Sequence, residues 1–407
     1  MRAIINLYRN AYDGLDRNIW LLGFVMLINR SGTMVLAFLT LYCHHLGFTL
    51  QQGGYVVAIY GMGAVAGAFL GGKIADKYGF SYTQFLALFC GGVLFIVLGQ
   101  MRTYGAICIV TFFLSLVNEA FRPANASAIA YYSTQKNRTQ SFSLVRLAIN
   151  LGWGIGSGIG GILASIDYHL LFWVDGGTNI LAAGLLWMIL PHVKNEKNAT
   201  SASAMPGESL PIQLPHRDKT FLWFLLFNIL FATCFFQLFT TVPTYFKEVL
   251  LLPEFIIGLV MASNGLMIAV FEMVLVFRLE GKKPYLLLMS YGAVLMALSF
   301  LLLNLHIFGG FFVALASTIV ITLAEMIAMP FMNSFYIGRS NEKTRGQYAG
   351  MYTMAWSIAQ VIGSSTGAIV AYQYGYRNLW ILVALVALCS SVGYMTLLRK
   401  EKKLMLT

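Results

Sequence analysis

Runs of roughly 18 or more predominantly apolar residues recur along this whole chain, and no other feature constrains its fold as tightly. In a bilayer core about 30 Å thick, every backbone N–H and C=O must be satisfied within the protein, so such runs cross as helices. Breaking the chain at its polar clusters predicts twelve spans, at about 19–43, 53–72, 83–101, 105–132, 140–165, 170–191, 220–246, 255–278, 284–304, 308–337, 346–371 and 376–398. Composition agrees. Of the 407 residues, 58% are hydrophobic and only 11% charged, against about a quarter charged in a soluble domain.

The spans carry an internal repeat 207 residues apart, without a gap. Pro123 answers Pro330, Arg138 answers Arg345, and Gln140 answers Gln347; Gly156-Ser157 answers Gly363-Ser364, Gly160 answers Gly367, and Ala164 answers Ala371. A glutamate stands just upstream of each proline, Glu119 and Glu325. A hydrophobic chain that repeats at half its length reads as two related bundles, the plan of many secondary transporters. The expected architecture is an all-α integral membrane protein with two pseudo-symmetric six-helix bundles, 1–191 and 220–407. A flexible cytoplasmic linker over 192–219, rich in Ser, Ala, Pro, Asn and Lys, would join them.

The net charge of +11 is topological and does not point to nucleic acid. Of 27 Lys and Arg, 21 fall on the side of the N-terminus, while the opposite side holds only Arg102, Lys247 and Arg377. By the positive-inside rule both termini are expected to be cytoplasmic. Residues 1–18 are polar and mixed in charge, with no cleavable signal pattern. The five cysteines include no C-x-x-C and read as small packing residues.

Between spans two and three stands Gly72-Lys73-Ile74-Ala75-Asp76-Lys77-Tyr78-Gly79. Gly72 and Gly79 suit a tight turn at the membrane surface, Lys73 and Lys77 can meet anionic headgroups, and Asp76 can cap a helix N-terminus. Span five carries Gly152-Trp153-Gly154-Ile155-Gly156-Ser157-Gly158-Ile159-Gly160-Gly161, and glycines four apart present a flat stripe for close helix approach. On these residues the chain resembles the major facilitator superfamily from end to end. The Gly72–Gly79 segment is similar to that superfamily's loop signature G-x-(L/I)-A-D-(R/K)-x-G, with Phe80-Ser81-Tyr82 where basic residues usually follow. The glycine run of span five resembles the G-x-x-x-G-P-x-x-G-G motif of its twelve-helix bacterial drug/proton antiporter branch, with Ser157 in place of the proline. Gly152, Gly156, Gly160 and Gly161 are the motif glycines; ordinary helix packing would use the same stripe. The resemblance implies that Asp76 meets the start of span eleven at Thr344-Arg345-Gly346 as a cytoplasmic latch, making Gly72, Asp76, Gly79 and Arg345 gating residues. It also implies that spans one, four, seven and ten line a central cavity. Asn29, Phe235, Gln237, Phe331, Asn333 and Trp356 are then candidate lining residues, and Arg122 stands in for the arginine-glutamine-glycine motif that span four lacks.

Ionisable groups inside spans need a partner, water or a purpose, because each costs about 2.5–3.5 kcal/mol near the bilayer centre. Arg30 lies near mid-depth in span one. Glu119 and Arg122 are three apart, hence neighbours on one face of span four, and Pro123 would free a backbone carbonyl beside them. Attraction to arginine favours an ionised carboxylate and burial opposes it, so Arg30, Glu119 and Arg122 make a site able to take up and release a proton. A purely structural ion pair is the alternative. Glu325 sits at the matching level of span ten with Met329 where Arg122 would be, and reads as a lone buried carboxyl that could bind a cationic group or carry a proton. Arg146 is read as gate residue or surface anchor, and so is Glu272, close to Arg278. Asp175, beside Gly176-Gly177, is expected to be solvated at the outer surface. His44 and His45 have no further ligand at metal spacing, so no metal site is expected.

No nucleophile–base pair, metal cluster or phosphate cradle is present, so neither an enzyme nor a cofactor is expected. The leading reading is a proton-coupled exporter of small amphiphilic organic compounds, a multidrug-type antiporter working by alternating access. The alternative is a proton-coupled importer of a peptide, sugar or siderophore-like nutrient. Its partners would be a small-molecule substrate, protons and the lipid bilayer, with a monomer as the family default.

Overall fold

The computed structural model describes residues 2–191, 214–305 and 309–406. Residues 192–213, most of the expected linker, lie outside the described residues. The described regular structure is helical: α1 Arg2–Tyr12, α2 Arg17–Ser31, α3 Val35–His45, α4 Leu50–Tyr78, α5 Phe80–Gln100, α6 Tyr104–Glu119, α7 Phe121–Tyr132, α8 Arg138–Ile166, α9 Tyr168–Ile189, α10 Lys219–Phe235, α11 Thr241–Glu248, α12 Glu254–Leu279, α13 Tyr285–Leu302, α14 Gly310–Arg339 and α15 Arg345–Leu406. Short polar side chains set several starts. Asp16 accepts from the Asn18 N–H (2.7 Å), Asp218 from the Phe221 N–H (3.0 Å), and Thr49 with Gln52 forms a capping box before α4.

Ten stretches among the described residues are long and apolar enough to cross a membrane. One of them is two helices, because α15 turns at Gly375 with φ 80° and ψ 160°, a backbone that glycine adopts readily. The first expected span is interrupted, running as α2 and α3 with a gap at Gly32, Thr33 and Met34.

The helices gather into two units. The first comprises Leu15–Arg217 and Ile337–Met354; the second comprises Met1–Gly14, Asp218–Tyr336 and Ala355–Thr407. In the first, α2 packs on α8, α4 on α6 and α5 on α9. Glycine makes these approaches close: a methyl built at Gly92 would stand 2.7 Å from the Gly176 carbonyl oxygen, and the reverse distance is also 2.7 Å. An apolar core of Met34, Leu39, Tyr42, Phe95, Leu98 and Phe172 fills one end. In the second unit, buried Trp380 stacks on Phe300 and meets Tyr245 edge-on, and the Tyr245 hydroxyl donates to the Leu303 carbonyl (2.6 Å). Here too lies α1, a helix that the polar N-terminal sequence did not announce. It packs on α12, with the Tyr8 hydroxyl donating to the Val270 carbonyl at 3.0 Å. Burial, then Tyr8 and Glu272, pushes the Tyr12 phenol up from its ordinary value.

Two local expectations are corrected. The Gly72–Gly79 segment is not a loop: α4 continues through Tyr78, and only Gly79 turns, with φ 93°. Gly72 is helical, and its missing side chain serves packing rather than turning. Asp175 is not solvated but 1% exposed, because the break in the first span supplies buried donors that need an acceptor.

Candidate functional site

The site in the first unit is built around that break. Interrupting a helix frees backbone N–H groups, which inside a membrane must find partners within the protein. Asp175 on α9 supplies them. Its Oδ2 accepts from the Val35 N–H at 2.7 Å, and both carboxylate oxygens lie 3.2–3.3 Å from the Met34 nitrogen. The carboxylate thus sits at the positive end of α3. One turn along α9, Asn179 donates to the Asp175 carbonyl (2.8 Å) and accepts from Asn29 (2.9 Å). Asn29 is thereby tied into packing, at 5% exposure.

The glycine stripe of α8 seats the other side of the break. A methyl at Gly152 would stand 2.7 Å from Arg30 Cβ and 2.8 Å from the Leu27 carbonyl oxygen. At Gly156 it would meet the Ser31 and Arg30 carbonyls at 3.0 and 3.1 Å, and at Gly160 the Met34 Cβ at 2.8 Å. Gly161 has nothing within 4 Å of such a methyl and faces away. The stripe therefore lets α8 lie against the backbone that carries Arg30.

Arg30 ends α2, where the helix dipole favours a cation. Its Nε is buried without an acceptor among the described residues. Glu119, Arg122, Tyr60 and Asp175 all act on it electrostatically. On span four, α6 and α7 meet at Ala120, three residues before Pro123, whose missing N–H leaves the Glu119 carbonyl without its helical donor. Glu119 Oε2 pairs with Arg122 Nη1 at 3.2 Å across this joint, the carboxylate 14% and the arginine 42% exposed. Asn118 reaches the Tyr60 hydroxyl at 3.5 Å.

The second unit repeats the device with different side chains. Its seventh span breaks between α10 and α11, joined by one turn of tighter helix at Phe236–Phe239. Gln237, at the position answering Arg30, donates to the Gly363 carbonyl (2.8 Å) and the Thr233 carbonyl (3.2 Å), and accepts from Thr241 (2.7 Å). Gly363 and Gly367 are the seats, facing the Thr233 carbonyl oxygen (2.7 Å) and the Gln237 side chain respectively. Phe235 and Phe236 meet Trp356 edge-on, at centroid distances of 5.6 and 5.9 Å. Phe331 is fully buried against Tyr285, and Asn333 donates to the Met329 carbonyl (3.2 Å). Glu325, 2% exposed, is not alone: Asn264 on α12 donates to its Oε1 and to Thr322 Oγ1, both at 2.9 Å.

Asp76 caps α15. Its Oδ1 accepts from the Gly346 N–H at 2.6 Å and its Oδ2 from the Gln347 N–H at 2.8 Å. Gly72 allows the approach, since a methyl there would collide with the Gly346 carbonyl. Arg345 lies within electrostatic range of Asp76, Glu342 and Arg138. Glu272 is buried on α12 in the second unit, beside Tyr12 of α1. Arg146, partly buried on α8, belongs to the first unit.

Within the first unit the structure thus gathers Arg30, Glu119 and Arg122, with Glu325 in the second. Sequence reasoning misread Asp175 as solvated and missed Asn179 and Asn264. Their signal was present, because a polar residue inside an apolar run demands a partner, but the partner of Asp175 is set by a helix break and that of Asn264 by side chains of another helix, neither of which hydropathy reveals.

Among known proteins, the chain is 26% identical over 402 residues to the Na(+), Li(+), K(+)/H(+) antiporter of Planococcus maritimus, covering 90% of this chain and 92% of that one. It is 24% identical over 364 residues to Multidrug resistance protein 2 of Bacillus subtilis (strain 168), covering 86% of each. The crystal structure of the human organic anion transporter MFSD10 (TETRAN) superposes with a TM-score of 0.74 at 14% identity, covering 92% of this chain and 98% of that one, a likeness of fold alone. The family model described as Major Facilitator Superfamily matches residues 19–364, a stretch that takes in both broken spans and the Asp76 cap. The chain is a multi-pass membrane protein of a transporter family, and it belongs to the major facilitator superfamily.

Proposed function

We propose that the chain is a proton-coupled antiporter that exports small amphiphilic organic compounds across a bacterial inner membrane. In this reading it has twelve spans, counting α2–α3 as one and α15 as two, in halves 1–191 and 220–407 that alternate access to a central site. It works as a monomer with both termini cytoplasmic. The observation that carries the reading is the half-buried Glu119–Arg122 pair beside Arg30 at a broken helix. A carboxylate there can exchange a proton as access to water alternates. The Asp76 cap at the start of α15 is the gating contact, and Glu325 is the ionisable group of the second half.

A second reading, exchange of alkali cations for protons, is favoured by the named activity of the Planococcus relative and by the placement of Glu325. Its carboxylate and the Thr322 hydroxyl are oxygen donors of the kind hard cations take. Transport in sealed vesicles with an imposed pH gradient of either sign separates these readings and the symport alternative. Organic substrate moving out against protons moving in supports export, whereas co-entry of proton and substrate supports symport. Exchange that needs only sodium or potassium supports the cation reading. Glu119→Gln is expected to uncouple organic export from the gradient, and unchanged rate and pH dependence would remove Glu119 from the mechanism.

A further inference from the structure

Arg30 is a cation placed among carboxylates that are already engaged. Glu119 is held by Arg122, and both oxygens of Asp175 are taken by the N–H groups of Met34 and Val35. No ion pair joins either carboxylate to Arg30 among the described residues, and the buried Nε of Arg30 has no acceptor there. Arg122 adds repulsion. A guanidinium does not shed its proton in a protein, so neutralisation is closed to it. In the second unit Gln237 closes the same kind of break with a neutral side chain whose hydrogen bonds are all internal. The fold therefore does not need a charge at this level, and among the described residues no carboxylate bonds directly to the one it has, although Glu119 and Asp175 attract it from a distance.

We propose that Arg30, with Arg122 nearby, receives the anionic head of the transported molecule, so that the substrate is an amphiphilic organic anion, with a carboxylate the best match. The two oxygens of a carboxylate fit the fork of a guanidinium, and charge-assisted bonds of this kind are about twice as strong as neutral ones. The Arg122 side chain, 42% exposed, can turn from Glu119 toward the same head. Glu119 then gains or loses its arginine partner as substrate leaves or arrives. This inference rests on the export reading and names its substrate class.

The test uses the full-length protein in lipid nanodiscs and three probes with one ring system, naphthoate, naphthalenemethanol and naphthylmethylammonium, titrated calorimetrically against empty nanodiscs. Naphthoate is expected to bind roughly tenfold or more tightly than the other two. Arg30→Gln should abolish that preference, and Arg30→Lys should keep part of it. Equal affinities, a preference for the ammonium probe, or a preference that survives Arg30→Gln would overturn the proposal. The ranking of probes on the unaltered protein keeps the test decisive even if a variant fails to fold. Anion-selective binding without proton-driven movement in proteoliposomes would retire the export reading and leave the Arg30 site standing. Proton-driven movement of the ammonium probe alone would do the reverse.

Discussion

Spans one and seven break at corresponding places, and each break is seated on a glycine stripe from another helix. What differs is how the freed groups are satisfied. In span seven Gln237 bonds to Thr233, Thr241 and Gly363, and the break is closed by neutral groups of its own unit. In span one the backbone donors go to a buried carboxylate, Asp175, and Arg30 is left facing a second ion pair. One backbone device thus serves as a packed joint in one unit and as a charged site in the other. The repeat supplies the scaffold, and the departures from it are where the two units differ in charge and in hydrogen bonding.

The comparison breaks most severely at the seats. Gly152→Ala puts a methyl against the Leu27 carbonyl and Arg30 Cβ, so it should lower stability by about 1–3 kcal/mol and displace Arg30, while Gly154→Ala, with nothing within 4 Å, should be neutral. Thermal unfolding of both variants in detergent, alongside transport, checks this. Next comes Asp175→Asn. It keeps one oxygen for Val35 but presents an N–H₂ group toward Met34, at a cost of about 1–3 kcal/mol. Thr241→Val in the second unit removes one neutral bond and should cost only about 1 kcal/mol; equal losses would erase the distinction between the two breaks. Asp76→Asn weakens the charged cap of α15 and should cost about 1 kcal/mol, read as a lowered unfolding midpoint. The smallest effect is expected at Asp167, exposed at the start of α9. The N–H and the ring of His169 hold its carboxyl below the ordinary value. Its contribution is therefore complete above the usual carboxylate pKa and fades as pH falls through the lowered one. A midpoint-against-pH series from about 7 to about 3 should show Asp167→Asn removing part of the acid-side decline and changing little at neutral pH.

Much of the fold was legible because hydropathy acts residue by residue. The limits of α5, α8 and α14 fall within a few residues of the expected spans. The Glu119–Arg122 pair followed from helical spacing alone. Asp76 meeting the start of span eleven came from the resemblance, and the cap is there. Asp175 was misread because its partners are backbone donors that exist only where span one breaks, and the break rests on packing against α8 and α9. Gly72 was read as a turn from its type, yet its neighbours are the Gly346 carbonyl and the Gly350 Cα, far away in sequence. Asn264 was passed over inside an apolar run, although it donates to the Glu325 carboxylate. Tertiary proximity decided each of these.

Arg30 makes no direct bond to a carboxylate among the described residues of its unit, whereas Gln237 is fully bonded. The direct measurement is the unfolding midpoint of Arg30→Gln and Gln237→Ala, side by side and without substrate. Removing a buried cation that no carboxylate bonds directly should leave the protein as stable as before or more so by about 1 kcal/mol, with transport lost. Gln237→Ala should destabilise by about 1–3 kcal/mol. Equal destabilisation by both substitutions would show instead that Arg30 is a structural residue satisfied within the fold.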